Sequence, residues 1–342
     1  MGFQKYAVRR IITAFITILI VISVNYFIFR LPMYLLGSDP AELYGLQRII
    51  NDPDIRNPQK IIDEIRKTMG LPPEDASLWV RFKYFLYYIK SMLTFDFGKT
   101  FTPPRRPVAG LLVNKLQYTL LLMGLTVPTY LLIGIWLGVK AGSSQGTKKD
   151  SAISSFGLIL YSVPSYWIQL LALLLFTKYL PIYPATTGPT TGFAYQDGFV
   201  KFLDMLYMFS LPIITLVLAV LGYWVMLMRS SLVRTMTEDY IFTARAKGLD
   251  EQSVLYKHAL RNAILPVWTQ FVLTVSTFWT GVVITESIFS LPGVGGFFYD
   301  AIFAQDYPIM EMIFFFITVS VVAANVTADL SYGLLDPRIK YD

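Results

Sequence analysis

Between Tyr207 and Met228 the chain reads YMFSLPIITLVLAVLGYWVMLM, and no residue of it is charged. A helix needs about 20 apolar residues to cross a hydrocarbon core, and this stretch supplies them. Inside lipid the backbone N–H and C=O groups have no water to bond, so such a segment satisfies them as a helix. Five further apolar runs flank it: Ile11–Phe29, Tyr118–Val139, Ala152–Phe176, Ile264–Ser287 and Ile309–Leu330. Pro128, Pro164 and Pro212 fall within or at the edges of these runs, which membrane bundles tolerate because neighbouring helices re-satisfy the backbone. The fold class is therefore all-α, a membrane protein of six transmembrane helices.

Composition agrees. Of 342 residues, 54% are hydrophobic and only 15% charged, against roughly 25% charged in a soluble domain. The net charge of +6 reads as the basic excess of cytoplasmic loops and not as a nucleic-acid surface. The chain has no cysteine and a single histidine, His258, so disulfides, thiolate metal sites and histidine clusters are excluded, and no metal site is expected.

The first run follows Lys5, Arg9 and Arg10. Its apolar core is too long for a signal peptide, and no small-x-small cleavage site precedes Arg30, so it reads as a retained span. With the N-terminus inside, the short inside segments collect Lys140, Lys148, Lys149, Arg229, Arg234, Arg245, Lys247, Lys257, Arg261, Arg338 and Lys340. The short outside segments hold only Arg30, Lys178 and Lys201. That bias places both termini in the cytoplasm of a multi-pass cell-membrane protein. Residues 1–30 form the N-terminus and first span, residues 31–116 an extracytoplasmic segment, and residues 117–342 a five-span core with an inside loop at 231–263. The external segment carries charges of both signs, but long loops translocate largely regardless of charge. It is partly helical: Pro58–Met69 places Ile61, Ile62 and Ile65 on one side, and Trp79–Leu93 is a second amphipathic stretch suited to the membrane interface. Thr102–Pro107 reads as an extended turn.

The inside segment joining spans four and five reads EDYIFTARAKGLDEQSVLYKHALRNAILP, Glu238 to Pro266. Tyr240–Lys247 is predicted as a short helix, with Gly248 as its left-handed terminator. Asp250 then caps a second helix, Glu251–Arg261, and Pro266 opens the fifth span. Ala244 and Ala246 keep the first helix thin enough for a partner's groove. The result is a helix–turn–helix knob; an ordinary basic loop is the plainer alternative, and the residues alone do not separate the two.

TARAKGL (Thr243–Leu249) followed by HALRNAILP (His258–Pro266) resembles the ATPase-docking loop of ABC importer permeases of the dipeptide/oligopeptide type. The broad importer pattern is Glu-Ala-Ala, then Gly, then Ile-x-Leu-Pro. Here Phe242 and Thr243 replace the Glu and first Ala, and the stretch from Gly248 to Pro266 is longer, both as in the peptide-type subfamily. The likeness extends to PRRPVAGLL (Pro104–Leu112), SVPSYWIQLL (Ser162–Leu171), ITESIFSLPGVGGFFYDAIFAQDYP (Ile284–Pro308) and DLSYGLLDPRIKY (Asp329–Tyr341). It implies the type I ABC importer permease fold. It also implies an ATPase-coupling loop at Ala244, Arg245, Ala246, Lys247, Gly248, Leu249 and Asp250. The implied partners are a second homologous permease, two ATPase subunits that carry ATP and Mg, an extracytoplasmic substrate-binding protein and the lipid bilayer, with no nucleic acid. The implied cargo is di- or oligopeptides, with oligosaccharides or nickel complexes as the family's other substrates.

Nucleotide motifs are absent. Gly98-Lys99-Thr100 lacks the first glycine of a phosphate loop, where Leu93 stands, and Phe298 replaces the last glycine of a dinucleotide fingerprint begun at Gly293. The chain is thus expected to bind no cofactor and to be no enzyme. Ionisable residues within spans are the default functional candidates. They are Glu286 near the outer end of span five and Asp329 near the inner end of span six, both compatible with the headgroup layer, and Asn325 lies one turn from Asp329 as a polar pathway candidate. Their scarcity disfavours the rival reading, an ion-coupled carrier. Gly134, Gly138 and Gly142 recur every four residues, which lets two helix backbones approach, either within the chain or between subunits.

Overall fold

The computed structural model describes residues 3–35, 40–51, 57–73, 75–102, 104–184 and 198–335, with the side chains of 31–35, 275–281 and 331–335 among those left aside. The end of the terminal motif, Asp336–Tyr341, lies outside them, as do Arg338 and Lys340. Thirteen helices follow one another and no strand occurs among the described residues: α1 Phe3–Leu35, α2 Pro40–Asn51, α3 Pro58–Thr68, α4 Leu78–Leu93, α5 Val108–Gly142, α6 Lys148–Ser162, α7 Ser165–Leu174, α8 Gly198–Thr235, α9 Asp239–Ala246, α10 Glu251–Ser253, α11 Leu260–Ile288, α12 Val294–Phe303 and α13 Tyr307–Leu335. A π-helical turn, Leu175–Tyr179, extends α7, and another, Val254–Ala259, joins α10 to α11.

Among the described residues, four helices are long and apolar enough to cross a membrane by themselves, falling in α1, α5, α8 and α13. The fifth predicted run, Ile264–Ser287, lies within α11. The third, Ala152–Phe176, is not a straight span. Helices α6 and α7 meet at 89°, because Pro164 forces Val163 out of the helical region (φ −90°, ψ 126°) and supplies no N–H to continue the ladder. Pro128 and Pro212, by contrast, sit inside unbroken helices.

The chain divides into two compact units, residues 1–116 with 297–342, and residues 117–296. In the first, α1 packs along α13, and Ile22, Tyr26, Tyr88, Met92 and Phe315 form a core that includes α4. The outward residues of α1, among them Ile11, Ile12, Phe15 and Ile20, are about half exposed, as expected where lipid replaces a protein core. The segment between α1 and α5 has its own small core of Ala41, Ile62, Ile65, Met69, Leu71 and Phe101. Helix α3 starts where the Asn57 side chain accepts from the Lys60 N–H (3.2 Å) ahead of Pro58, and it stops before Gly70 at φ +66°. Asp306 accepts from the backbone N–H groups of Phe101 (3.0 Å) and Thr102 (2.8 Å), which ties the predicted extended turn to the start of α13.

In the second unit α8 is the central strut. The glycine repeat of α5 lies against it: a Cβ on Gly134 would stand 2.6 Å from the Cβ of Trp224, and one on Gly138 2.6 Å from that of Met228. The repeat therefore serves packing within the chain. On another side α8 meets α6 where Gly222 faces Gly157 backbone to backbone.

Candidate functional site

The segment from Glu238 to Pro266 folds as a compact knob on the ends of α8 and α11. Helix α9 closes where the Lys247 N–H reaches Thr243 O (3.1 Å) and the Gly248 N–H reaches Arg245 O (2.9 Å). Gly248 has φ +77°, and no atom lies within 4 Å of where its Cβ would stand. The glycine is needed for backbone conformation and not for space. Two residues on, the Asp250 carboxylate accepts from the Ser253 N–H (3.0 Å) and starts α10. Arg245 grips Glu251 across the turn through Nε (2.8 Å) and Nη2 (3.2 Å). Asn262 donates to the Tyr240 hydroxyl (2.8 Å) and closes the knob on its other side.

The hydrogen bond from Ser253 holds the exposed Asp250 carboxyl below its ordinary value. A depressed folded value means that the cap contributes above the unfolded carboxylate pKa of about 3.9 and is lost as pH falls through the lower folded one. Protection of the Ser253 amide from hydrogen exchange should therefore be unchanged at pH 5 and decline only below about pH 4.

The inner face of the knob is seated in the unit's core. Ile241, Ala244, Val254 and Ala259 are buried with Met228, Leu232, Ala263 and Val267, and the Ser231 hydroxyl donates to Ala263 O (2.6 Å). Ala244 is 5% exposed, so its small side chain lets α9 lie close on its own bundle and is no partner surface. Ala246, Lys247, Gly248, Leu249 and Asp250 are exposed and Arg245 partly so, beside the exposed rings of Phe242 and Tyr256.

The second knob helix does not end before Pro266. From Glu251 the chain stays helical through the π turn and α11 to Ile288, with Pro266 inside. One proline removes one N–H and disturbs the turn before it, and an already started helix carries on when its faces are packed.

The weaker candidates have other surroundings. Glu286 is 1% exposed, so its carboxylate is enclosed by protein. Its carboxylate accepts from the Thr119 hydroxyl (2.6 Å) and the N–H groups of Gly295 (2.6 Å) and Gly296 (3.1 Å), which fixes the chain entering α12. In the other unit, Asp329 pairs with Arg10 (3.3 Å), and the two line a shallow groove with the exposed Asn325. Among the described residues no group of His, Cys, Asp and Glu could hold a metal ion.

The sequence reading missed Asp150. Its buried carboxylate binds Arg229 of α8 bidentately (2.5 and 2.7 Å) and accepts from Gly146 N (3.0 Å) and Ser154 Oγ (3.1 Å). The sequence marks Arg229 only as one more basic residue. The available signal was Thr147-x-x-Asp150, a capping spacing.

These features define a multi-span helical membrane protein that carries a rigid polar knob between two of its long helices. Residues 113–341 match the family described as binding-protein-dependent transport system inner membrane component. The chain belongs to that family. It is 34% identical over 75% of its length to the oligopeptide transport system permease protein AppB of Bacillus subtilis, covering 80% of that protein. It is 32% identical over 78% of its length to the dipeptide transport system permease protein DppB of Escherichia coli, covering 82%. The dipeptide transport system permease protein DppB of Bacillus subtilis is 33% identical over 75% of this chain and 78% of its own.

Proposed function

We propose that this chain is one permease half of an ATP-driven importer of di- or oligopeptides, and that the knob is where ATPase energy enters it. The carrying observation is the knob's construction: a turn set by Gly248 and capped by Asp250, with one face locked into the helix core and the other exposed. A partner that grips residues 245–250 moves α8 and α11 with them. The match to a binding-protein-dependent family supports the rest of the assembly: a second permease, two ATPase subunits that bind ATP and Mg, and an extracytoplasmic binding protein. The names of AppB and DppB support peptides as cargo over oligosaccharides. Both termini and the knob lie in the cytoplasm in this reading, as the basic residues around them favour.

The test is ATP-dependent uptake of labelled dipeptide by vesicles holding the assembled importer. Gly248→Val places a β-branched residue at a left-handed position at about 1–2 kcal/mol of backbone strain, and uptake should fall at least about tenfold (1.4 kcal/mol per decade). Gly248→Asn, which tolerates that conformation, should keep most of it. Equal uptake by the valine variant and the parent would rule out the docking role.

A further inference from the structure

The first unit contains a cleft of about 270 Å³ between the outer end of α1, the end of α3, α4, the turn at 96–99 and the start of α13. Its floor is the buried pair of Arg30 and Glu311, joined through Arg30 Nη2 at 2.9 Å. The guanidinium also stands 5.7 Å from the ring centre of Tyr88. Tyr88 is 6% exposed, yet its hydroxyl has no hydrogen-bond partner among the described residues. A buried hydroxyl left without a partner is costly; Tyr88 lines the cleft, so a small turn of its ring would bring the hydroxyl to a group that enters.

Charge indicates what that is. Arg30 and Glu311 face each other, and the Asp96 carboxylate accepts from the Gly98 N–H (3.3 Å). Lys67 and Lys99 line the cleft and make no ion pair among the described residues. The surplus is positive, beside a hydroxyl free to donate. Tyr84 and Tyr87 add aromatic walls on the same side of α4. The exposed apolar residues Trp79, Phe82 and Leu86 lie on a different face of that helix, so the cleft does not share that apolar surface. The volume is just below the roughly 300–1,000 Å³ of drug-sized sites and suits the last residue or two of a short chain.

We propose that this cleft binds the free α-carboxylate of a short peptide, with Tyr88 and Lys99 on the carboxylate and Tyr84 against the terminal side chain. The proposal rests on the peptide reading and on the external placement of α3 and α4, and it gives the permease a holding site of its own. The test uses the full chain in lipid nanodiscs and calorimetry with tri-alanine, its C-terminal amide and inorganic phosphate. Tri-alanine should bind saturably and the amide at least about tenfold more weakly, the loss expected from one bond to a charged group. Tyr88→Phe and Lys99→Met should each weaken tri-alanine about five- to tenfold and leave the amide unchanged. Equal binding of acid and amide, unaltered binding in both variants, or phosphate binding more tightly than tri-alanine would overturn the proposal. Uptake by the assembled importer separates the two readings. Peptide uptake without carboxylate-selective binding removes the cleft site alone, whereas an intact assembly that imports no peptide removes the cargo assignment.

Discussion

Replacing Gly222 with valine should leave little or no folded protein in the membrane. The Cβ would run into the Gly157 carbonyl and stand 3.0 Å from the backbone nitrogen of Tyr161. Both obstacles are main chain, so no rotamer change relieves them. The helices must separate, and the contacts between α6 and α8 along that face go with them. Overpacking typically costs about 1–3 kcal/mol where side chains can give way; here the upper figure of about 3 kcal/mol is the floor. Gly124→Ala is the control, because nothing lies within 4 Å of its Cβ, and it should behave as the parent. Thermal unfolding followed by size-exclusion chromatography in detergent reads both. A Gly222→Val protein with the parent's midpoint would mean that α6 and α8 do not approach as described.

The second large effect is expected at Asp150. Removing this carboxylate by Asp150→Ala leaves Arg229 without its bidentate partner and strips the Gly146 N–H and Ser154 hydroxyl of their acceptor. Breaking one side of a buried pair costs about 3–5 kcal/mol. The Arg229 side chain is 25% exposed, which places the loss near the lower figure. The double variant Asp150→Ala with Arg229→Met should recover most of the stability, since an apolar replacement of both partners is often neutral. A mutant cycle on unfolding midpoints isolates the coupling; additive losses would show that the pair contributes nothing. Because α8 leads directly into the knob, dipeptide uptake should fall in the single variant and return less completely in the double.

Much of this was legible in the residues, for reasons that differ by element. Long uncharged runs must be helices in lipid, so α1, α5, α8 and α13 needed no tertiary information. Gly248 and Asp250 announced their turn and cap because both act locally. The outcome at Pro164 and Pro266 was not local. Two prolines in apolar runs gave an 89° corner at one place and an unbroken helix at the other, and what distinguishes them is the packing around each. Asp150, and the buried partners of Glu286, escaped for a related reason. The pairs are separated by 79 and 167 positions in sequence, and no spacing rule reaches that far. Ala244 was recognised as small, but whether its smallness served a partner or its own core depended on which way α9 rolled.

The uninterrupted helical path from Glu251 to Ile288 makes a long oar, roughly 55 Å at about 1.5 Å per residue. At that length a stroke of about 5° at the handle sweeps the blade through nearly 5 Å, by simple trigonometry on the same rise. The shaft is least stiff near the handle, at the widened turn Val254–Ala259 and at Pro266. How much of each stroke arrives at the far bank is then set by the elasticity of those two joints.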